Sequence, residues 1–154
     1  MSKLIAVIIT ILLLSSRRAS AEDTRLVVVV AAKSPVTNVS RAALKRAFLG
    51  EPLVVNETRL TPFNAEPQTA ERRGFDESLL GMAADEVGRF WIDRKVRGQG
   101  AAPRSLPGAQ LAKVVAKFPG AIGYVRVDQL TPDVKPVKID GVAYDDPRYG
   151  IARR

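Results

Sequence analysis

Between Leu111 and Val125 the hydrophobic period changes from that of a helix to that of a strand within two residues. Leu111, Val114, Val115 and Phe118 recur at i, i+3, i+4 and i+7, an apolar stripe along one side of a helix. Pro119-Gly120 stops that helix, and Ile122, Tyr124 and Val125 then read as a buried strand, with Gly120 letting the backbone turn. Such a junction obliges the chain to lay a helix against a sheet. Residues 26–32, Leu-Val-Val-Val-Val-Ala-Ala, add a continuous apolar run that suits a central strand covered on both faces of a parallel or mixed sheet.

The intervening segments alternate in the same way. Ser40 is placed to cap a helix that carries Leu44, Ala47 and Phe48 on one face, Lys45 and Arg46 near its end, and Gly50 as its stop. Leu53 to Phe63 reads as a strand or hairpin region with Leu60 and Phe63 inward. After the loop 62–68, Thr69 caps a helix to Leu80 with Phe75, Leu79 and Leu80 facing the core, and Gly81 ends it. A further helix carries Val87, Phe90 and Trp91 at i, i+3 and i+4 and closes on Arg94, Lys95 and Arg97 before Gly98. Ser105 is a candidate cap for the helix to Phe118, Lys135 to Ile139 reads as the last strand, and the chain from Tyr149 onward is expected to be loose. This order predicts an α/β fold, a three-layer sandwich with a mixed sheet and helices on both faces.

The first residues carry a basic start at Lys3, an apolar run from Leu4 to Leu14 broken only by Thr10, and small residues leading to Ala19-Ser20-Ala21. That is the layout of a secretory signal peptide. An apolar run of this length rises only about 16 Å as a helix, roughly half of a bilayer core, so no stable membrane span is expected once residues 1–21 are removed. Residues 22–140 are then read as one domain and 141–154 as a C-terminal tail, in a periplasmic or secreted protein.

The chain has no cysteine and no histidine, which excludes thiolate nucleophiles, Cys-ligated or His-ligated metal sites and His-dependent triads. No metal, cofactor or catalytic residue is expected, and the chain is not read as an enzyme. The whole sequence has a formal net charge of +8. Without Lys3, Arg17 and Arg18 it keeps 21 basic against 16 acidic residues, a net +5 that favours anionic partners. The basic residues are dispersed and lack an aromatic platform, so nucleic acid is not expected.

Five segments, in order, resemble the second lobe of the phosphate-binding substrate-binding proteins of ABC transporters and their short single-lobe relatives. They are Ser40 through Phe48-Leu49-Gly50; Thr69, Arg72, Phe75 and Leu79-Leu80-Gly81; Phe90-Trp91; Val96-Arg97-Gly98-Gln99-Gly100 with Pro103; and Pro119 to Val125. The similarity runs from Leu26 to about Leu130. It implies a single periplasmic-binding-protein-like lobe and a small oxyanion, phosphate or sulfate, as ligand. One departure weakens that implication: the glycine-rich oxyanion loop of the family is replaced here by Asn64-Ala-Glu-Pro-Gln-Thr69, with Glu66 and Glu71 nearby.

A helix start leaves unpaired amides and carries about half a positive charge. Thr69 with the amides of Ala70 and Glu71, aided by Arg72 or Arg73, therefore forms a candidate oxyanion site; the plainer alternative is that Thr69 only caps the helix. Ser34 and Ser40 follow the first strand, where open α/β sheets place ligands, and are further candidates. The acid pairs Asp76-Glu77, Asp85-Glu86 and Asp145-Asp146 are sequence neighbours and read as solvated charge. Two functions stay open: an exported solute-binding-like protein that takes an oxyanion weakly or serves as an accessory module, and a ligand-free module on the same fold that contacts another envelope protein.

Overall fold

A computed structural model describes residues 25–151; the expected signal peptide lies outside them. The first strand, β1 (Leu26–Ala31), has every residue buried. Its alternating side chains explain why the run is apolar throughout. Leu26, Val28 and Val30 join one core cluster, while Val27 and Val29 join a second one on the other face.

The chain continues through the short β2 (Asn38–Val39) into α1 (Arg41–Phe48), where the Ser40 hydroxyl accepts from the Ala43 amide at 3.1 Å and Leu44, Ala47 and Phe48 are buried. Gly50, at φ +97°, ends the helix in the left-handed region. A hairpin follows, β3 (Leu53–Val55) and β4 (Thr58–Ala65), joined by Asn56 and Glu57, both with positive φ as a tight two-residue turn requires. The next helix, α2, runs over Ala70–Phe75 and widens to π geometry over Asp76–Leu80 before Gly81 stops it. Then come α3 (Ala84–Val96), β5 (Arg104–Leu106), α4 (Gly108–Lys117), β6 (Ala121–Arg126), β7 (Val134–Pro136) and β8 (Lys138–Ile139).

The main sheet has the order β3-β4-β6-β1-β7, with β5 pairing along the far half of β4. It is mixed: β1 is antiparallel to β6 and β7, whereas β4 is parallel to β6 and to β5. α1 and α2 cover one face and α4 the other, giving the expected three layers. Phe48, Phe75 and Tyr124 lock the first layer: Phe75 stacks on Tyr124 at 3.7 Å between ring centres, and Phe48 meets Phe75 edge-on at 4.7 Å.

Four local expectations are corrected. Phe118 leaves the helical path as an extended C-cap (φ −116°, ψ 107°), so it no longer follows the buried stripe and is 57% exposed. Ser105 caps nothing; it pairs with Asn64 in β5, and Pro107 stands at the start of α4 without a side-chain cap. Gly120 does not take a positive φ, but a Cβ there would come within 3.2 Å of the Arg59 carbonyl oxygen. Tyr149 is not loose: buried, it donates to the Val137 carbonyl at 2.9 Å and accepts from the Val28 amide at 3.1 Å, bridging the place where β1 and β7 part, and Ile151 beyond it is also buried.

Candidate functional site

The carboxyl end of β4 delivers Asn64 and Ala65, both buried, to a loop that leads into α2. Tyr124, from the adjacent β6, holds this end in place: its hydroxyl donates to Asn64 Oδ1 at 2.8 Å and accepts from the Ala65 amide at 3.1 Å. Thr69 then caps α2, its hydroxyl accepting from the Arg72 amide at 3.2 Å and donating to the Glu66 carbonyl at 2.8 Å. Thr69, Ala70, Glu71 and Arg72 are thus brought together at one helix start.

The guanidinium of Arg72 turns inward from that start. Its Nε donates to Asp76 Oδ2 at 2.7 Å and an Nη to the Ala65 carbonyl at 3.2 Å, with side chains only 11% and 4% exposed. Burial pushes the Asp76 carboxyl above its ordinary pKa, against the opposing pull of Arg72. Its Oδ1 is buried without a hydrogen-bond partner among the described residues. Burial likewise pushes the Tyr124 hydroxyl upward. Arg73 donates to the Gln68 carbonyl at 2.7 Å, and Glu71 lies 3.9 Å from Arg126.

Such an arrangement can offer the Ala70 and Glu71 amides and the helix dipole to a small anion. Arg72 adds little net charge, because Asp76 neutralises it, and Glu66 and Glu71 oppose a negative ligand. The chain's excess of positive charge is therefore not concentrated here.

Ser34 does not join this cluster. It follows the carboxyl end of β1, and because β1 is antiparallel to β6 while β6 is parallel to β4, the two strand ends lie at opposite edges of the sheet. Its hydroxyl accepts from the Val36 amide at 3.3 Å, and its carbonyl accepts from Lys135. The Ser40 hydroxyl is engaged as the cap of α1. Sequence reasoning missed Asp76, Asn64 and Tyr124. Asp76 is buried, not solvated; its i, i+4 spacing from Arg72 marks an ion pair but not its burial.

Among the described residues no cluster of His, Cys, Asp or Glu is placed to hold a metal ion, and no helix is long and apolar enough to cross a membrane.

No protein-family model matches the sequence, and no curated protein does either. Solved structures do. A candidate phosphate ABC transporter substrate-binding protein with bound phosphate, from Clostridium perfringens, aligns over 80% of this chain and 49% of its own, with a TM-score of 0.60 and 18% identity. An ABC-type phosphate transport receptor from Vibrio cholerae aligns over 77% and 47%, at 0.60 and 16%. PstS from Borrelia burgdorferi aligns over 84% and 55%, at 0.61 and 14%. The chain has the fold of these phosphate receptors. It spans about half of their length. Within this receptor-like lobe, Phe48-Leu49-Gly50 ends α1, Thr69 opens α2, Phe90-Trp91 lies on α3, and Pro119 to Val125 joins α4 to β6.

Proposed function

We propose that this chain is an exported, periplasmic solute-binding-type lobe that takes a small oxyanion, phosphate or sulfate, weakly at the start of α2. The observation that carries the reading is the placement of the Thr69 cap and the Ala70 and Glu71 amides at the carboxyl end of β4, in a fold shared with phosphate receptors. Binding is weak because the guanidinium of Arg72 is committed to Asp76 and the loop carries carboxylates where the receptors' resemblance calls for glycines. The role is read as capture or presentation of the anion.

Calorimetric titration of the full chain with phosphate and with sulfate tests this. A dissociation constant of roughly 1 mM is expected, that is, about 4 kcal/mol of binding free energy. Glu71→Gln should tighten it several-fold by removing a repelling carboxylate, and Thr69→Ala should weaken it. No heat with either anion, for wild type and Glu71→Gln alike, rejects the site. Export is read separately: the secreted form should begin at Glu22 by intact mass, and retention of residues 1–21 in membranes overturns a soluble periplasmic form.

A ligand-free interaction module on the same fold is the second reading. The exposed face of α3 favours it.

A further inference from the structure

Leu111 and Val115 seat α4 on the sheet, and the flank of the helix beside them carries alanine. Ala109, Ala112 and Ala116 recur at i, i+3 and i+7 along that flank, where side chains that end at Cβ leave a trough. Facing them, the segment 129–133 turns back to the sheet, its Asp133 carbonyl accepting from the Ala32 amide at 2.9 Å. Between the two lies an open groove of about 760 Å³, within the roughly 300–1,000 Å³ of small-molecule sites, and its lining is mainly apolar. It sits on the face of the sheet that α4 covers, whereas α2 covers the opposite face.

The groove has a charged end and a neutral end. β1 runs antiparallel to β6, with Val30 opposite Ile122, so Lys33 beyond β1 lies at the same end as Lys117 and Pro119 ahead of β6. Lys113 stands one turn back along α4. Gly108, Ala109 and Gln129 form the other end, about 12 Å away along the helix. Every ion pair of the described residues is made by an arginine, so among those residues no carboxylate pairs with these three lysines. Asp133 is the one acid in the lining among the described residues, and three lysines against one acid leave a net positive charge.

We propose that this groove binds a monomeric amphiphile, an unbranched alkyl chain of medium length with a carboxylate head. The carboxylate takes the amines of Lys33 and Lys117, with Lys113 beside it, while the chain lies along Ala109, Ala112 and Ala116 toward Gln129. Each half of the groove calls for a different half of the ligand. An inorganic anion leaves the alanine floor in water, and a neutral hydrocarbon gains nothing from the amines. The lysine stems are apolar and extend the wall over the chain. Their amines are exposed, so the head orients the ligand and the chain supplies most of the affinity. The inference does not rest on oxyanion binding at α2.

Amide chemical shifts of the full chain, titrated with octanoate, decanoate and dodecanoate below their micelle concentrations, test it. The shifts should centre on Ala31, Ala112 and Ala116. Decanoate should bind with a dissociation constant of roughly 0.1 mM, and each added pair of methylenes should tighten binding about three- to tenfold. Lys33→Gln with Lys117→Gln should weaken decanoate about five- to tenfold and leave octanol unchanged, a split that a merely structural role for the lysines does not produce. Ala109→Leu, at an exposed position, should weaken acid and alcohol alike about tenfold with an unchanged melting temperature. Asp133→Asn should tighten decanoate a few-fold. No shift at Ala112 and Ala116 with any of the three carboxylates, or octyltrimethylammonium binding as tightly as octanoate, overturns the proposal. So does decanoate binding that is indifferent to Ala109→Leu or to the lysine pair, and so does capture by phosphatidylglycerol vesicles without binding of monomeric decanoate.

Discussion

α4 and α3 carry similar apolar spacings and meet opposite fates. In α4, Leu111 and Val115 are fully buried against β1 and β6, and the strand supplies Gly123 to admit them. A Cβ at Gly123 would stand 2.8 Å from Leu111 Cδ2 and 3.2 Å from Val115 Cγ2. In α3 the stripe Val87, Phe90 and Trp91 buries only its first member fully, and the glycine at 88 faces open space. The difference teaches that periodicity marks which side of a helix is apolar but not whether a surface is waiting for it. A sheet face must be left uncovered by the topology, and here α1, α2 and α4 use both faces.

The contrast breaks or holds first on truncation. Leu111→Ala should cost about 3–5 kcal/mol, from lost transfer energy plus the cavity left in a site with no solvent access. Ile92→Ala, on the exposed face of α3, should stay within about 0.5 kcal/mol. Chemical denaturation of both variants measures this, and equal losses would mean that α3 is as embedded as α4.

Ion pairs sharpen the same contrast. Arg72→Ala strands the buried Asp76 carboxyl and should cost about 3 kcal/mol or more, far beyond the loss of a helix cap. Arg89→Ala removes an exposed partner of Asp85 on α3 and should cost about 0.5 kcal/mol or less. Double-mutant cycles with Asp76→Asn and Asp85→Asn read the coupling directly.

Glycine substitution predicts opposite signs. Gly123→Ala forces a methyl into the space of Leu111 and should destabilise by about 1–3 kcal/mol. Gly88→Ala should stabilise by about 1 kcal/mol, since the methyl meets nothing and the helix gains propensity. Thermal melts that shift the same way for both would refute the packing difference.

Smallest of all are two acids that titrate in opposite directions. Asp76 has a folded pKa raised by burial above the ordinary 3.8, so its contribution to stability is present below 3.8 and lost as pH rises through the raised value. Asp146 is half-buried, and hydrogen bonds from the Arg148 side chain and amide hold it down to about 2. Its contribution is present above 3.8 and lost as pH falls through about 2. Carboxyl shifts followed by NMR should show Asp146 titrating near 2, moving back toward 3.8 in Arg148→Ala, with Asp76 titrating above 3.8.

Much of the fold was legible in the chain. The run at 26–31, the caps at Ser40 and Thr69 and the junction at Pro119 to Val125 each depend on neighbours within a few residues, so their local chemistry states them directly. Phe118 escaped because one residue past a helix end breaks the period on which the reading rests. Tyr149 escaped because its value lies in bridging Val28 and Val137, a contact across 121 residues in one direction. At the candidate site Thr69 was readable as a cap. Asp76 was not readable as buried, since the identical spacing of Asp85 and Arg89 lies in solvent.

The sequence by itself determined the main helices, the strands at 26–31 and 121–126 and the absence of cysteine and histidine chemistry, because helix caps, turns and hydrophobic periods are short-range properties. Tertiary structure alone decided which ends of the sheet meet. An antiparallel β1 beside a parallel β4–β6 pair sends Ser34 to one edge and Thr69 to the other. It also decided that Arg72 faces Asp76 inside while the Ile92 and Val96 face of α3 stays bare, because pairing direction and layer occupancy are set by contacts between residues far apart in the chain.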